Sequence, residues 1–249
     1  MSNGNLIRHV LTSGACVALL VASVQATDIW VSGTGSDSTG TGSSGNPFRT
    51  IKNAMIVAMT GDVIKVKAGT YDIAAGEAFP LTIKDQVDII GQEASTSNYP
   101  QIGGDVNSSS SSVAACFVID ATAASRSSIN VKYLRFKAEN YSGRDAPSAL
   151  FVKNANSYDI STSFLDGCHI DRLEMNDSGN ADRAAVVFEA GKGTLTFEVK
   201  NCLIRASRLG GIDVYAGANA DTSESTFIPV TVSNTTIELT CPRFSVQSL

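Results

Sequence analysis

Arg135, Lys137, His169, Asp171, Arg205 and Glu238 are the residues whose types and spacing suit chemistry. Each stands beside one of four apolar residues, Phe136, Ile170, Ile204 and Ile237, which recur at intervals of 34, 34 and 33 residues. Side chains alternate between the two faces of a strand, so inward apolar residues leave these six pointing outward together. A lysine or arginine of lowered pKa, next to a calcium held by carboxylates, is equipped for proton abstraction and β-elimination on a uronate polymer. Asp159, Asp166, Asp171, Glu174, Asp177 and Asp182 are the acids available for such a cluster, and "NDSGNAD" (176–182) is rich in oxygen ligands but lacks EF-hand spacing. Glycoside hydrolysis asks for two carboxylates about 5–9.5 Å apart, and Asp166 with Asp171 is the pair on offer. A structural reading competes with both. The position after each aligned apolar residue reads Lys137, Asp171, Arg205, Glu238, alternating in sign. Opposite charges facing each other on adjacent strands contribute about 0.2–1 kcal/mol per pair, so the alternation also describes a salt-bridge ladder that holds register.

The elements that position these residues follow from the interval. "NVKYLRFKA" (130–138), "FLDGCHIDR" (164–172), "KNCLIRAS" (200–207) and "SNTTIELT" (233–240) repeat one pattern. A period in this range signals a solenoid, whose repeats bury their apolar faces only by stacking. Apolar triplets "FVI" (117–119), "LFV" (150–152), "VVF" (186–188) and "IDV" (212–214) open the repeats. Short strands joined by polar turns, with no helix between them, exclude a βαβ fold. They predict an all-β right-handed parallel β-helix of about five coils with three strands per coil. Leu134, Cys168, Cys202 and Thr235 fall two positions before the aligned residues and are expected inward. Cys168 and Cys202 then become stacked neighbours, either bonded or packed as free thiols. Asn201 and Asn234 fall at a bend, where stacked asparagines satisfy turn backbone and each other.

The N-terminal third has its own pattern. Residues 1–26 read as a secretory signal peptide: Arg8 and His9, an apolar run (10–24), then Val24 and Ala26 at the −3 and −1 positions of a cleavage site. Residues 27–249 are then one β-helix domain. "DIWV" (28–31) reads as a strand, and the Gly/Ser/Thr stretch at 32–46 as a solvated, mobile loop. Asn46 or Thr50 can cap a helix whose apolar face is Ile51, Ala54, Met55, Ala58 and Met59, about three turns long and stopped at Gly61. That short helix is expected to cover the open end of the stack. "DVIKVKAGTY" (62–71) and "FPLTIKDQVDIIG" (79–91) read as further short strands, the latter holding two apolar segments split by Lys84–Asp85–Gln86.

Composition narrows the function. A net charge of −5 with no basic run argues against nucleic acid and anionic membranes as partners. No span is long enough to cross a membrane as a helix. Beyond residue 26 the cysteines are Cys116, Cys168, Cys202 and Cys241, with no CxxC pair, and His169 is the one histidine, so no metal site of usual zinc spacing is expected. "TIELTCPRFSVQSL" (236–249) shows no capping element. The expectation is a chain truncated at its C-terminus, whose open end missing coils or a partner would cover.

The stretch 28–71 carries a recognisable series: Val-Ser-x-x-Gly-x-Asp, a Gly/Ser loop, Pro-Phe-x-Thr-Ile-x-x-Ala, Gly-Asp and Gly-Thr-Tyr. It resembles the opening of secreted pectate-lyase-like β-helix proteins. With the continuation at 79–91 it is most similar to the bacterial family known as domain of unknown function 1565. The resemblance covers about residues 28–105. It implies a single-stranded right-handed parallel β-helix, exported and often on cell surfaces. Lyases with a similar opening carry their catalytic residues in later coils, and no later motif here allows those residues to be carried across. Two readings are therefore open. One is a non-catalytic surface or extracellular protein that binds polysaccharide through a flat strand face. The other is an enzyme, a calcium-dependent polysaccharide lyase or a glycoside hydrolase. Fold alone does not choose between them.

Overall fold

The computed structural model describes residues 25–92, 95–103, 115–137, 148–154, 158–173, 184–206, 211–216 and 230–239. Most of the signal-peptide segment, Cys241 and the 176–182 loop lie outside the described residues.

The strands form three parallel sheets, visited in turn on each circuit of the chain. The first runs Asp28–Val31, Val63–Val66, Asp88–Gly91, Asn130–Lys132, Ile160–Asp166, Leu195–Lys200 and Val230–Ser233, with Arg126–Ser127 alongside Ile160–Asp166. The second runs Thr70–Tyr71, Gln101–Ile102, Arg135–Lys137, His169–Leu173, Leu203–Ala206 and Thr236–Leu239. The third runs Leu81–Thr82, Ala115–Ala121, Ser148–Asn154, Val186–Ala190 and Ile212–Ala216. The result is a right-handed parallel β-helix of about five coils.

Register follows the sequence period. Phe136 pairs with Ile170, Ile170 with Ile204, and Ile204 with Ile237. Phe136, Ile170 and Ile204 are fully buried, whereas Ile237 is 42% exposed. The column is thus in register throughout but buried only where another described coil stacks upon it. The apolar triplets align likewise, with Phe117, Leu150, Val186 and Ile212 on one row. The first three are apolar throughout, and this has a cause: there the third sheet is covered on both faces. Its outward column Val118, Phe151 and Val187 is buried with Ala115 and Ala184 in a second small core. Strands buried on both faces lose the polar alternation of a half-exposed strand.

The helix is shorter than its apolar spacing predicts. It spans Ile51–Val57 (α1), and Met59 is 67% exposed. One long-range side chain and one local side chain end it early. Lys84 Nζ donates to the carbonyls of Ile56 and Ala58 at 2.8 and 2.9 Å, occupying the acceptors that a further turn would use. Asp62 Oδ2 accepts from the backbone of Met59 at 2.8 Å. Thr50 is the N-cap, accepting from Asn53 N, and Ile51, Ala54 and Met55 are buried. Lys84 belongs to later chain, so no local periodicity reports it.

The 32–46 loop also departs from expectation. It is knit by backbone bonds such as Ser36 N to Pro47 O and Thr41 N to Asn46 O. Its Asp37 accepts from the backbone of Arg49 and Thr50 and from the Thr50 hydroxyl at 2.8–3.0 Å. Beside it Glu77, almost fully buried, accepts from the backbone of Ile51 at 2.5 Å and Lys52 at 3.0 Å. Burial raises the Glu77 carboxyl above the usual carboxylate range, against the lowering pull of those two bonds.

A pH dependence follows. Folded Glu77 holds its proton more tightly than the unfolded chain does, so its contribution to stability falls as pH rises from about 4.3 through the raised value. In urea unfolding followed across that window, wild type should lose stability relative to Glu77→Gln as pH climbs. Parallel pH curves for the two proteins would contradict this account of the cap.

Candidate functional site

Register brings all six candidate residues onto the outer face of the second sheet. Arg135 lies opposite His169, and Lys137, Asp171, Arg205 and Glu238 follow one another on successive coils. Asp171 is the centre of the group. Only 6% exposed, it receives Arg135 Nη2 on Oδ2 at 2.5 Å and Arg205 Nη1 on Oδ1 at 3.4 Å. Arg205 Nε reaches Glu238 Oε2 at 2.8 Å, and Glu238 first, then Asp171, raises the Arg205 pKa. The ladder read from sequence starts at Lys137. In the structure the short contact to Asp171 comes instead from Arg135, on the other side of Phe136. A planar guanidinium with several donors reaches a carboxylate diagonally where register alone would not place it.

His169 is half-buried on this face. Burial holds its pKa below the ordinary value; the charges of Arg135 and Arg205 act the same way, and Asp171 opposes them. Its ring meets Tyr99 edge-on at a centroid distance of 5.4 Å, and Tyr99 lies 6.1 Å from Tyr133. Sequence reasoning missed both tyrosines. Tyr99 follows a 3-10 turn, Thr96–Asn98, outside the repeat. Tyr133 sits at the corner between the first and second sheets, equivalent to Gly167, Asn201 and Asn234, with φ of 55°, 62°, 53° and 45°. That shared position was legible, because two of its members are the bend asparagines. Asn234 Nδ2 donates to Asn201 Oδ1 at 2.7 Å, and Asn201 Nδ2 to Asp166 Oδ1 at 2.8 Å.

Inside the same corner Leu134, Cys168 and Cys202 are buried, as their spacing predicts. Cys116, Cys168 and Cys202 are free thiols. Cys202 Sγ donates to Lys200 O at 3.1 Å, and burial pushes its pKa up to about 11; burial also raises Cys168 well above the ordinary thiol range. Thiols held protonated in this way are poor nucleophiles.

The acids proposed for a calcium cluster or a hydrolytic pair are dispersed. Asp166 lies on the first sheet and is engaged with Asn201, whereas Asp171 lies on the second and is clamped by arginines. Asp159 Oδ1 accepts from Thr194 N at 2.7 Å. Glu174, Asp177 and Asp182 lie outside the described residues. Among the described residues, no three His, Cys, Asp or Glu side chains converge to hold a metal ion. No helix among them is long and apolar enough to cross a membrane.

Residues 33–142 match the family described as protein of unknown function DUF1565. The resemblance read from the sequence therefore holds over the first coils. No curated protein matches the chain. Among solved structures, a chain titled "Rhamnogalacturonan lyase" is similar at 12% identity and a TM-score of 0.44, over 90% of this chain. The match spans 64% of that chain's length.

Two measurements follow from the geometry. Asp171→Asn removes the charge that both arginines share, and should cost about 1.5–3 kcal/mol in urea unfolding; unchanged stability would refute the clamp. His169, beside His9 the second of two histidines in the chain, should titrate by NMR below the ordinary value of about 6.5. Its folded pKa is depressed, so its contribution to stability is lost as pH falls from about 6.5 through the folded value. A midpoint at or above the ordinary value would show that the ring is not desolvated.

Proposed function

We propose that this chain is an exported β-helix protein that binds an extracellular polysaccharide along the outer face of its second sheet without cleaving it. The observation that carries this reading is the mutual neutralisation of Arg135, Asp171, Arg205 and Glu238. A β-eliminating lyase needs a base free to take a proton and a cation free to meet the substrate acid. Here Arg135 and Arg205 are committed to Asp171, and the Arg205 pKa is raised, the wrong direction for a base. A hydrolase needs one protonated and one ionised carboxyl facing one bond. Asp166 and Asp171 stand on different sheets with separate partners. What the face offers is a flat row of hydrogen-bonding groups on a rigid scaffold, suited to binding. Export is supported by the character of residues 1–26. Binding of this kind calls for no metal, and no membrane-spanning segment or nucleic acid enters the reading.

The test pairs two assays on the same panel of pectins, alginates and glycosaminoglycans. The expected outcome is retention on at least one immobilised glycan, with no near-ultraviolet absorbance from unsaturated product, with or without calcium, and no new reducing ends. Calcium-dependent absorbance would establish the lyase instead, and new reducing ends the hydrolase.

A further inference from the structure

We propose that Tyr133, Tyr99 and His169 form a stacking subsite for one pyranose ring, at the corner where the first sheet turns into the second. The proposal rests on the polysaccharide-binding reading and adds to it the place and chemistry of contact.

The argument begins with backbone conformation. The corner position requires positive φ on successive coils, and asparagine and glycine adopt it at low cost. Asn234, Asn201 and Gly167 obey that preference, and the two asparagines bond to each other. Tyr133 does not. A bulky residue at φ 55° is an outlier whose strain must be offset by something else. A local bond is no compensation, because the asparagine ladder is what the position would otherwise offer.

The next coil is adapted to the ring. A Cβ built on Gly167 would stand 2.7 Å from Cδ1 and Cε1 of Tyr133, so the ring lies where any other residue would place its side chain. Two consecutive coils have thus left the asparagine pattern to seat one aromatic side chain. Yet that ring is not core: Tyr133 is 39% exposed. Tyr99 leans against it with planes tilted by 51°, and His169 meets Tyr99 from the second sheet. Three partly exposed rings therefore line one edge of the β-helix, with Arg135 in register beside His169.

The chemistry selects the ligand. A pyranose has a face of C–H bonds and a rim of hydroxyls. Aromatic rings take the apolar face, and planar or charged donors take the rim. The corner offers the tyrosine rings at its centre and the His169 imidazole at its margin. A nucleic acid would also stack, but it requires cations free for phosphates, and the arginines here are held by Asp171.

Tyr133→Asn separates function from structure. Asparagine suits positive φ, so the variant should melt at or above the wild-type temperature. Full-length wild type, Tyr133→Asn and Tyr99→Ala are run by affinity electrophoresis in gels containing xylan, mixed-linkage β-glucan, galactan or pectin. Wild type should be retarded in at least one gel. Each variant should bind about three- to tenfold more weakly, the range for loss of one aromatic contact. Saturating the wild type with fragments of that glycan should shift the His169 imidazole signals. If wild type is retarded and both variants match it, the subsite is wrong and the binding face stands. If Tyr133→Asn melts lower yet binds normally, the ring is structural and the subsite is again wrong. If wild type runs freely in every gel, the polysaccharide reading fails and the subsite with it.

Discussion

In-register parallel pairing makes every residue meet its own equivalent one coil away, about 4.8 Å along the axis. That single constraint orders the rest of the molecule. Apolar residues stack into columns because like meets like, as Phe136, Ile170 and Ile204 do. Asparagines gain from meeting themselves, since each amide both donates and accepts. Charges are the exception: like charges opposite one another are destabilising, so charged columns must alternate in sign. They do so on all three sheets. Lys132, Asp166 and Lys200 alternate on the first, Lys137, Asp171, Arg205 and Glu238 on the second, and Asp120, Lys153 and Glu189 on the third. Alternation is therefore a rule of this fold and by itself no mark of a site.

What distinguishes the second sheet is burial. Asp171 is a nearly buried carboxylate with two guanidinium partners, whereas Lys153–Asp120 is a half-exposed pair at 3.1 Å. Burial concentrates the electrostatics of the face on one residue and commits its arginines. The adjoining corner carries the rings of Tyr133 and Tyr99 instead.

Features that repeat were legible in the sequence. The aligned residues, the inward cysteines and the Asn201–Asn234 bond all follow from one interval, and the apolar triplets open each repeat at looser spacings of 33, 36 and 26. Features that depend on chain far from the repeat were not. Lys84 shortens α1 from 26 to 28 residues away, a distance no helical periodicity spans. Glu77 covers the opposite end of α1 from 25 to 26 residues away. Tyr99 reaches His169 from a segment outside the aligned pattern. Side-chain reach was a second blind spot: register names the residues that face each other, but a long arginine chooses its partner diagonally. A third lies on the first sheet, where Phe164 holds Lys200 Nζ at 4.2 Å and Lys132 Nζ at 4.8 Å from its ring centroid. A phenylalanine on the outer face of a strand reads as an anomaly until its two flanking cations are seen.

The register itself is open to direct observation by side-chain NOE spectroscopy with selectively labelled Phe and Ile. Nearest neighbours alone should be in contact: Phe136 with Ile170, Ile170 with Ile204, and Ile204 with Ile237. Phe136 and Ile204, two coils apart, should show no contact. A direct Phe136–Ile204 contact, or no contact between Ile170 and Ile204, would mean that the coils are not stacked in this order.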